Sequence, residues 1–134
     1  MRRFVITALA VLGPALVGCA SSPAPGEPID SGATLDAPAF AESVTQPNTV
    51  VVDVRTPPEF ASGHLAGARN IDVNGNFPAG ISSLDKQASY AIYCRSGNRS
   101  ATAMQIMQDA GFGHVFHLGG GIGAWQQAGL EVVR

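Results

Sequence analysis

Cys94 and the six residues that follow it are the part of this sequence best suited to chemistry. Cys94 comes directly after the apolar run Tyr90 to Tyr93. The residues after it are small or polar: Arg95, Ser96, Gly97, Asn98, Arg99 and Ser100. The reactive form of cysteine is the thiolate, which nearby cations and backbone N–H groups favour. We therefore predict that Cys94 is a nucleophile rather than a small buried apolar side chain.

The elements on either side of Cys94 indicate how it is positioned. The run Tyr90 to Tyr93 is typical of a buried strand, and the segment Ser100 to Ala110 has apolar residues at helical spacing. Cys94 would then lie at the carboxyl end of a strand, where open α/β sheets bind ligands. A loop that enters a helix can turn its N–H groups toward one point, and Gly97 permits the required backbone angle.

The rest of the sequence alternates strand-like and helix-like segments in the same way. Further strands are predicted at 49–54, 68–71 and 115–118. Further helices are predicted at 36–44, with Asp36 as the cap, at 57–61 and at 122–128. This alternation predicts an α/β domain with a mostly parallel central sheet flanked by helices.

Three motifs in this domain resemble those of the single-domain rhodaneses, which are sulfurtransferases. The matching segments are Asp53 to Arg55 with Glu59-Phe60 and Gly63 to Ile71, then Tyr93 to Ser100, and finally Leu118 to Trp125. They occur in the family's order and spacing and span about Leu35 to Val133. The resemblance implies the rhodanese-like three-layer fold, with helices on both faces of the sheet.

The resemblance also implies a sulfur transfer in two steps, without a metal or an organic cofactor. Cys94 would take the outer sulfur of thiosulfate or a similar anionic donor and pass it to an acceptor such as cyanide or a thiol. The loop residues 95–100 would bind the donor, with Arg95 and Arg99 facing its sulfonate group.

Other polar residues are interpreted as structural. Asp53, Arg55, Glu59, Arg69 and His64 are expected to form ion pairs and hydrogen bonds that fix loops beside the sheet.

A metal site is not predicted. His114 and His117 flank one strand and have no third ligand at a useful spacing.

Two other functions remain open at this point. Tyrosine-phosphatase-like enzymes and arsenate reductases also place a cysteine before an anion-binding loop, but they need five residues between the cysteine and an arginine. Here four residues separate Cys94 from Arg99. The second alternative is a persulfide carrier or binding module that turns over slowly, because fold and motif do not establish the physiological reaction.

The N-terminus predicts export. Arg2 and Arg3 precede an uncharged apolar stretch from Phe4 to Val17. Leu16-Val17-Gly18-Cys19 resembles the lipobox of bacterial lipoproteins, in which the cysteine is lipidated after the leader is removed. We therefore expect a protein that is lipid-anchored in the bacterial cell envelope, facing the periplasm or the outer surface. An ordinary secretory signal is the alternative, and either interpretation places the domain outside the cytoplasm. A disulfide between Cys19 and Cys94 would be the default in an oxidising compartment, but if Cys19 carries lipid, Cys94 is a lone thiol.

Composition divides the chain into three parts: a signal peptide at 1–18, a flexible tether at 19–33 that starts at the lipidated Cys19, and one domain at 34–134. The tether is rich in Pro, Ser, Gly and Ala, which cannot bury enough apolar surface to fold. The formal net charge of −2 gives no indication of nucleic-acid binding. We expect a monomer that meets the membrane only through its anchor.

Overall fold

The computed structural model describes residues 29–134. The predicted signal peptide, Cys19 and most of the predicted tether lie outside this range. Within 29–134, no helix is long and apolar enough to cross a membrane.

The centre of the domain is one parallel sheet. Its strands are β1 (Thr34–Leu35), β2 (Thr49–Asp53), β3 (Arg69–Asn70), β4 (Ser89–Tyr93) and β5 (His114–Leu118). They lie side by side in the order β1-β5-β4-β2-β3, and every pairing is parallel. The four predicted strands are present, and none of their ends differs from the prediction by more than one residue. The strand β3 is shorter than predicted because both of its ends are shifted inward. Strand β1 was not predicted, because a strand of two residues carries no periodicity.

Residues 29–134 contain five helices. They are α1 (Ala37–Ser43), α2 (Pro57–Ser62), α3 (Phe77–Ile81), α4 (Asn98–Asp109) and α5 (Gly121–Gln127). Four of them, all but α2, pack on the sheet. Asp36 caps α1 as predicted, since its side chain accepts a hydrogen bond from the N–H of Ala39 at 2.9 Å. The short helix α3 was not predicted. The predicted start of α4 at Ser100 was wrong by two residues, because Gly97 is already the N-cap.

The two faces of the sheet carry separate apolar clusters. On one face, α3 and α4 pack through Phe77, Ile81, Ala103 and Met107 against β2, β4 and β5. On the other face, α1 and α5 pack through residues that include Phe40, Ile122 and Trp125. The predicted three-layer α/β architecture is therefore confirmed.

The residues just before β1 also contact the domain. Ile29 and Ala33 pack against the second apolar cluster. The N–H of Gly32 donates to the carbonyl of Val115 at 2.7 Å, and the hydroxyl of Ser31 accepts from the N–H of Val115 at 3.4 Å. The packed part of the chain thus includes residues that composition alone assigned to the tether.

The sheet brings the carboxyl ends of β2 and β4 side by side. Asp53 lies in register with Tyr93, and the N–H of Val54 donates to the carbonyl of Tyr93 at 3.1 Å. Cys94 therefore follows a central strand, at the edge of the sheet where neighbouring strands also end.

Candidate active site

Cys94 lies at the base of a tight turn between β4 and α4. Its side chain has no exposed surface. The N–H of Gly97 donates to Sγ of Cys94 at 3.1 Å. Arg95, Ser96 and Asn98 are exposed around this turn, whereas Gly97 and Ser100 are buried with the sulfur. Of the six predicted loop residues, Ser96, Gly97 and Ser100 donate hydrogen bonds to the sulfur.

Gly97 has the unusual backbone angle that the sequence predicted. Its φ is +103°, a left-handed region that residues with a side chain rarely adopt. A Cβ added here would also lie 3.3 Å from the backbone nitrogen of Gly120. Both the angle and the space therefore favour glycine at the point where the N–H must face the sulfur.

Two opposing effects act on the pKa of the Cys94 thiol. Burial raises it, and hydrogen bonds from the Ser100 hydroxyl and from the N–H groups of Ser100, Gly97 and Ser96 lower it. The net effect is a lowered pKa, so the thiolate is favoured more than in free cysteine. Both the backbone N–H groups and the two arginines were expected to lower this pKa, and the main lowering causes are hydrogen bonds from the turn and the first turn of α4.

The start of α5 holds the turn from the opposite side. The N–H of Ile122 donates to the carbonyl of Cys94 at 2.8 Å, and the N–H of Gly123 donates to the carbonyl of Arg95 at 3.4 Å. A Cβ added at Gly121 would lie about as close as 2.4 Å to the backbone of Arg95. The close approach of α5 therefore requires glycine and fixes two peptide groups of the turn.

Ser100 connects the sulfur to a buried histidine. Its Oγ lies 3.5 Å from Sγ of Cys94 and 2.8 Å from Nδ1 of His117. On the other side of the ring, Nε2 lies 3.0 Å from Oγ1 of Thr34. From the sequence, His117 was considered only as a metal ligand, and its contact with Ser100 was not predicted. No sequence signal would have found it, because the residues are far apart in sequence and meet only when α4 packs on β5.

The two arginines of the loop have different surroundings. Arg99 donates two hydrogen bonds to the carboxylate of Glu59 on α2, at 2.8 and 2.9 Å. This pairing is the first cause that lowers the pKa of Glu59 well below its usual range. Arg95 is exposed. Among the loop side chains that the structure describes, Arg95 is thus the cation without an ion-pair partner within 4 Å.

Glu59 also holds its own helix in place. Its side chain accepts from the N–H of Thr56, while the Thr56 hydroxyl accepts from the N–H of Glu59, so the two form a capping box at the start of α2. The interpretation of Glu59 as a structural residue is consistent with these contacts.

Asp53 and Arg55 form the ion pair that the sequence suggested. Two nitrogens of the Arg55 guanidinium donate to the Asp53 carboxylate, the shortest contact being 2.7 Å. The same guanidinium donates to the carbonyl of Gly63 and lies over the ring of Tyr93. These contacts fix the loop after β2.

His64 is likewise held within the structure. Its ring stacks on Phe60 with centroids 3.8 Å apart, and Nδ1 lies 2.9 Å from the Phe60 carbonyl. Arg69 is exposed and has no ion pair within residues 29–134. In the same part of the chain, no group of three His, Cys, Asp or Glu side chains is arranged to bind a metal.

Comparisons with known proteins agree with this arrangement. Residues 36–128 match the Rhodanese-like domain family. A thiosulfate sulfurtransferase GlpE from Pseudomonas fluorescens is 35% identical over 89 residues, covering 66% of this chain and 81% of that protein. An uncharacterized protein from Synechocystis is 35% identical over 99 residues and covers 73% of this chain, which spans 55% of that longer protein.

A solved structure shows the same fold. The crystal structure of a rhodanese-related protein from Thermoplasma volcanium has a TM-score of 0.68 and 30% sequence identity, and the match covers 75% of this chain and 97% of that chain. Since the family match covers most of the chain and includes the Cys94 turn, this protein belongs to the rhodanese-like domain family.

Proposed function

We propose that this protein is a sulfurtransferase that carries sulfur as a persulfide on Cys94. The thiolate attacks the outer sulfur of an anionic donor such as thiosulfate. The sulfur–sulfur bond of the donor breaks, and sulfite leaves with the electron pair. A thiol or cyanide then attacks the terminal sulfur of the persulfide, and the Cys94 thiolate leaves.

The observation that carries this proposal is the convergence of hydrogen-bond donors on one sulfur. The N–H of Gly97 and the hydroxyl of Ser100 both lie within reach of Sγ. Donors held by the backbone stabilise negative charge without reorganising during the reaction. The thiolate, the donor and the persulfide are all anionic, so the same groups serve each state. The similarity to a protein named thiosulfate sulfurtransferase supports the choice of donor.

The exposed rim of the turn supports a role for Arg95 in binding the donor. Its side chain reaches solvent beside the buried sulfur, and within the described residues its guanidinium has no carboxylate partner. Arg99 stands differently, because its guanidinium already donates to both oxygens of Glu59. We assign binding of the anionic sulfur donor first to Arg95, whereas Arg99 fixes the first turn of α4 against α2.

A phosphatase or arsenate reductase is less consistent with the site. The turn has one residue fewer than the cysteine-based phosphatase loop, and its far arginine is paired with Glu59 rather than directed at an anion above the sulfur. A tetrahedral phosphate surrounded by the loop would need that guanidinium.

Burial of the sulfur favours the second candidate, a slowly reacting persulfide carrier. Since the Cys94 side chain has no exposed surface, a reaction requires part of the turn to move. A persulfide enclosed in this way is shielded from free thiols and is released when a matching acceptor opens the turn. Slow turnover with small acceptors would favour this role over rapid catalysis.

Sulfur loading tests the proposal directly. The chain is incubated with thiosulfate, its mass is measured, and thiocyanate is quantified after cyanide is added. We expect a gain of one sulfur atom at Cys94 and the release of thiocyanate. The Cys94→Ser variant should take up no sulfur, while Cys19→Ser should behave as the unmodified chain. Phosphate-ester hydrolysis without sulfur uptake would contradict the proposal, and stable loading with negligible turnover would identify the carrier.

We also propose that Cys19 anchors the protein to a membrane of the cell envelope through lipid. The segment Leu16 to Cys19 after an uncharged apolar stretch supports this proposal. The full chain expressed in a bacterium should partition with membranes and carry acyl groups on Cys19, and Cys19→Ser should abolish both. Recovery of the unaltered chain, without acyl groups, in the soluble fraction would contradict the anchor.

A further inference from the structure

The Ser100 hydroxyl lies at the centre of a buried hydrogen-bond chain. Its Oγ is 3.5 Å from Sγ of Cys94, 3.1 Å from the carbonyl oxygen of Gly97 and 2.8 Å from Nδ1 of His117. Ser100 has no exposed surface, and His117 is only 6% exposed. Water therefore has little access to these polar groups, and they must satisfy one another's hydrogen-bonding capacity.

The number of available hydrogens limits which of these groups can donate and which must accept. The Cys94 thiolate and the Gly97 carbonyl are acceptors only, and the Ser100 hydroxyl has a single hydrogen. If Nδ1 of His117 carried no hydrogen, three acceptors would compete for that one hydrogen. If Nδ1 carries a hydrogen, it donates to Oγ, and the Ser100 hydrogen is left for the sulfur or the Gly97 carbonyl. A charged acceptor then takes it more strongly than a neutral one.

The other side of the ring is compatible with this tautomer. With the hydrogen on Nδ1, Nε2 is an acceptor, and the Thr34 hydroxyl lies 3.0 Å away and can donate to it. Burial lowers the pKa of His117, which favours the neutral ring.

Charged groups do not oppose this state of the ring. Across the sheet, β4 places Ile92 in register with His117, and β1 places Thr34 there. From α4, Ser100 faces the ring, while the neighbouring Arg99 is paired with Glu59. Within residues 29–134, His117 has no carboxylate within 4 Å. The ring therefore acts on the sulfur through the Ser100 hydroxyl.

We propose that neutral His117 is a positioning residue that donates its Nδ1 hydrogen to Ser100 and thereby directs the Ser100 hydroxyl hydrogen at the sulfur of Cys94. For the thiolate, this follows from the contacts alone. For the persulfide it rests on the proposed function, because the first sulfur of a persulfide would keep the same neighbour. His117 touches neither donor nor acceptor, and it makes the thiolate more available through Ser100.

Alkylation of Cys94 tests the proposal without any sulfur donor. All chains carry Cys19→Ser so that Cys94 is the one thiol left, and the rate with iodoacetamide is followed from pH 5 to pH 10. His117→Leu removes the ring donor, and His117→Asn restores an N–H group near the position of Nδ1. Ser100→Ala removes the intermediate hydroxyl, and the double variant His117→Leu, Ser100→Ala completes the cycle.

We expect His117→Leu to shift the alkylation profile to higher pH and to slow the reaction about fivefold below the thiol pKa. His117→Asn should restore most of the rate. Ser100→Ala should slow the reaction at least as much, and His117→Leu should add nothing in that background. An unchanged profile in His117→Leu, or an equal effect in the presence and absence of Ser100, would overturn the proposal. A chain that alkylates as expected but fails to load sulfur from thiosulfate would overturn the proposed function instead.

A measurement on the unaltered ring covers the case in which His117→Leu does not fold. In the Cys19→Ser chain labelled with ¹⁵N, NMR of the imidazole nitrogens locates the ring hydrogen. Above the thiol pKa, we expect the hydrogen on Nδ1 and Nε2 as an acceptor. A hydrogen on Nε2 in the thiolate state would overturn the proposal.

Discussion

The loops after β2 and β4 lie next to each other, but their charged and polar groups are arranged differently. After β2, the buried carboxylate of Asp53 is matched by the guanidinium of Arg55. After β4, the N–H of Gly97 and the hydroxyl of Ser100 lie against the sulfur of Cys94, and among residues 29–134 no arginine donates a hydrogen bond to it. The first loop satisfies its charges internally. The second keeps its donors directed at an atom that can become negative.

This difference separates the two loops by how their polar groups are used. Both loops contain arginines and both follow central strands, so neither charge nor location distinguishes them. What distinguishes them is whether the polar groups are already fully used within the fold. Asp53 and Arg55 complete each other, whereas the donors around Cys94 have room for more negative charge once the thiol ionises.

The largest expected effect is on stability, at the β2 end. Asp53→Ala leaves the Arg55 guanidinium buried without its carboxylate, and we expect a loss of about 3–5 kcal/mol in the free energy of unfolding. Denaturant titration measures this loss, and alkylation of Cys94 in the folded fraction should stay nearly unchanged. As a matched control, Asp109→Ala removes a carboxylate from the exposed end of α4. A loss below about 1 kcal/mol for Asp53→Ala would remove the contrast between the loops.

Gly97→Ala should have an intermediate effect on stability and a specific effect on the thiol. The left-handed φ costs a residue with a Cβ about 1–2 kcal/mol. Gly129 is a matched control, because its φ of +78° is also left-handed, nothing lies within 4 Å of an added Cβ, and it follows α5 at the end far from Cys94. Gly97→Ala should lose more stability than Gly129→Ala, because its Cβ also lies 3.3 Å from the Gly120 nitrogen, and only Gly97→Ala should slow sulfur loading and alkylation. Equal chemical effects in the two variants would mean that the Gly97 N–H does not act on the sulfur.

The smallest expected effect is a dependence of stability on pH at the β4 end. Since the folded pKa of Cys94 is lowered, the unfolded chain binds more protons between that value and about 8.5. The contribution of Cys94 is therefore present above about pH 8.5 and is lost as pH falls through the folded pKa. Unfolding of the Cys19→Ser chain should become less favourable with rising pH in this window, relative to Cys19→Ser, Cys94→Ala. Parallel curves for the two chains would show that the turn does not stabilise the thiolate.

The sequence predicted the parts of this structure that depend on local pattern. The β-branched run at Thr49 to Asp53, the cap at Asp36 and the glycine angle at Gly97 each follow from neighbouring residues, and all three are present. The cysteine turn could be found because all of its donors lie within six residues of Cys94.

Contacts that join distant segments could not be predicted in the same way. Arg99 was expected to face the donor, but Glu59 binds it from a helix 40 residues earlier in the chain. His117 was set aside as an unsupported metal ligand, and its relation to Ser100 depends on how α4 packs on β5. The type of a polar residue limits which groups it can bind. Which of those groups lies beside it depends on how the whole sheet and its helices pack.

The contact between α5 and the turn has a consequence for the direction of the N–H groups around Cys94. In a peptide unit the carbonyl and the N–H point in opposite directions. When Ile122 and Gly123 take the carbonyls of Cys94 and Arg95, they rotate the N–H groups of Arg95 and Ser96 toward the other side. The last helix of the chain thus sets the polarity of a turn some 25 residues upstream. Without these two hydrogen bonds the two peptide planes would be free to flip, and a carbonyl oxygen would then replace the Ser96 donor beside the sulfur.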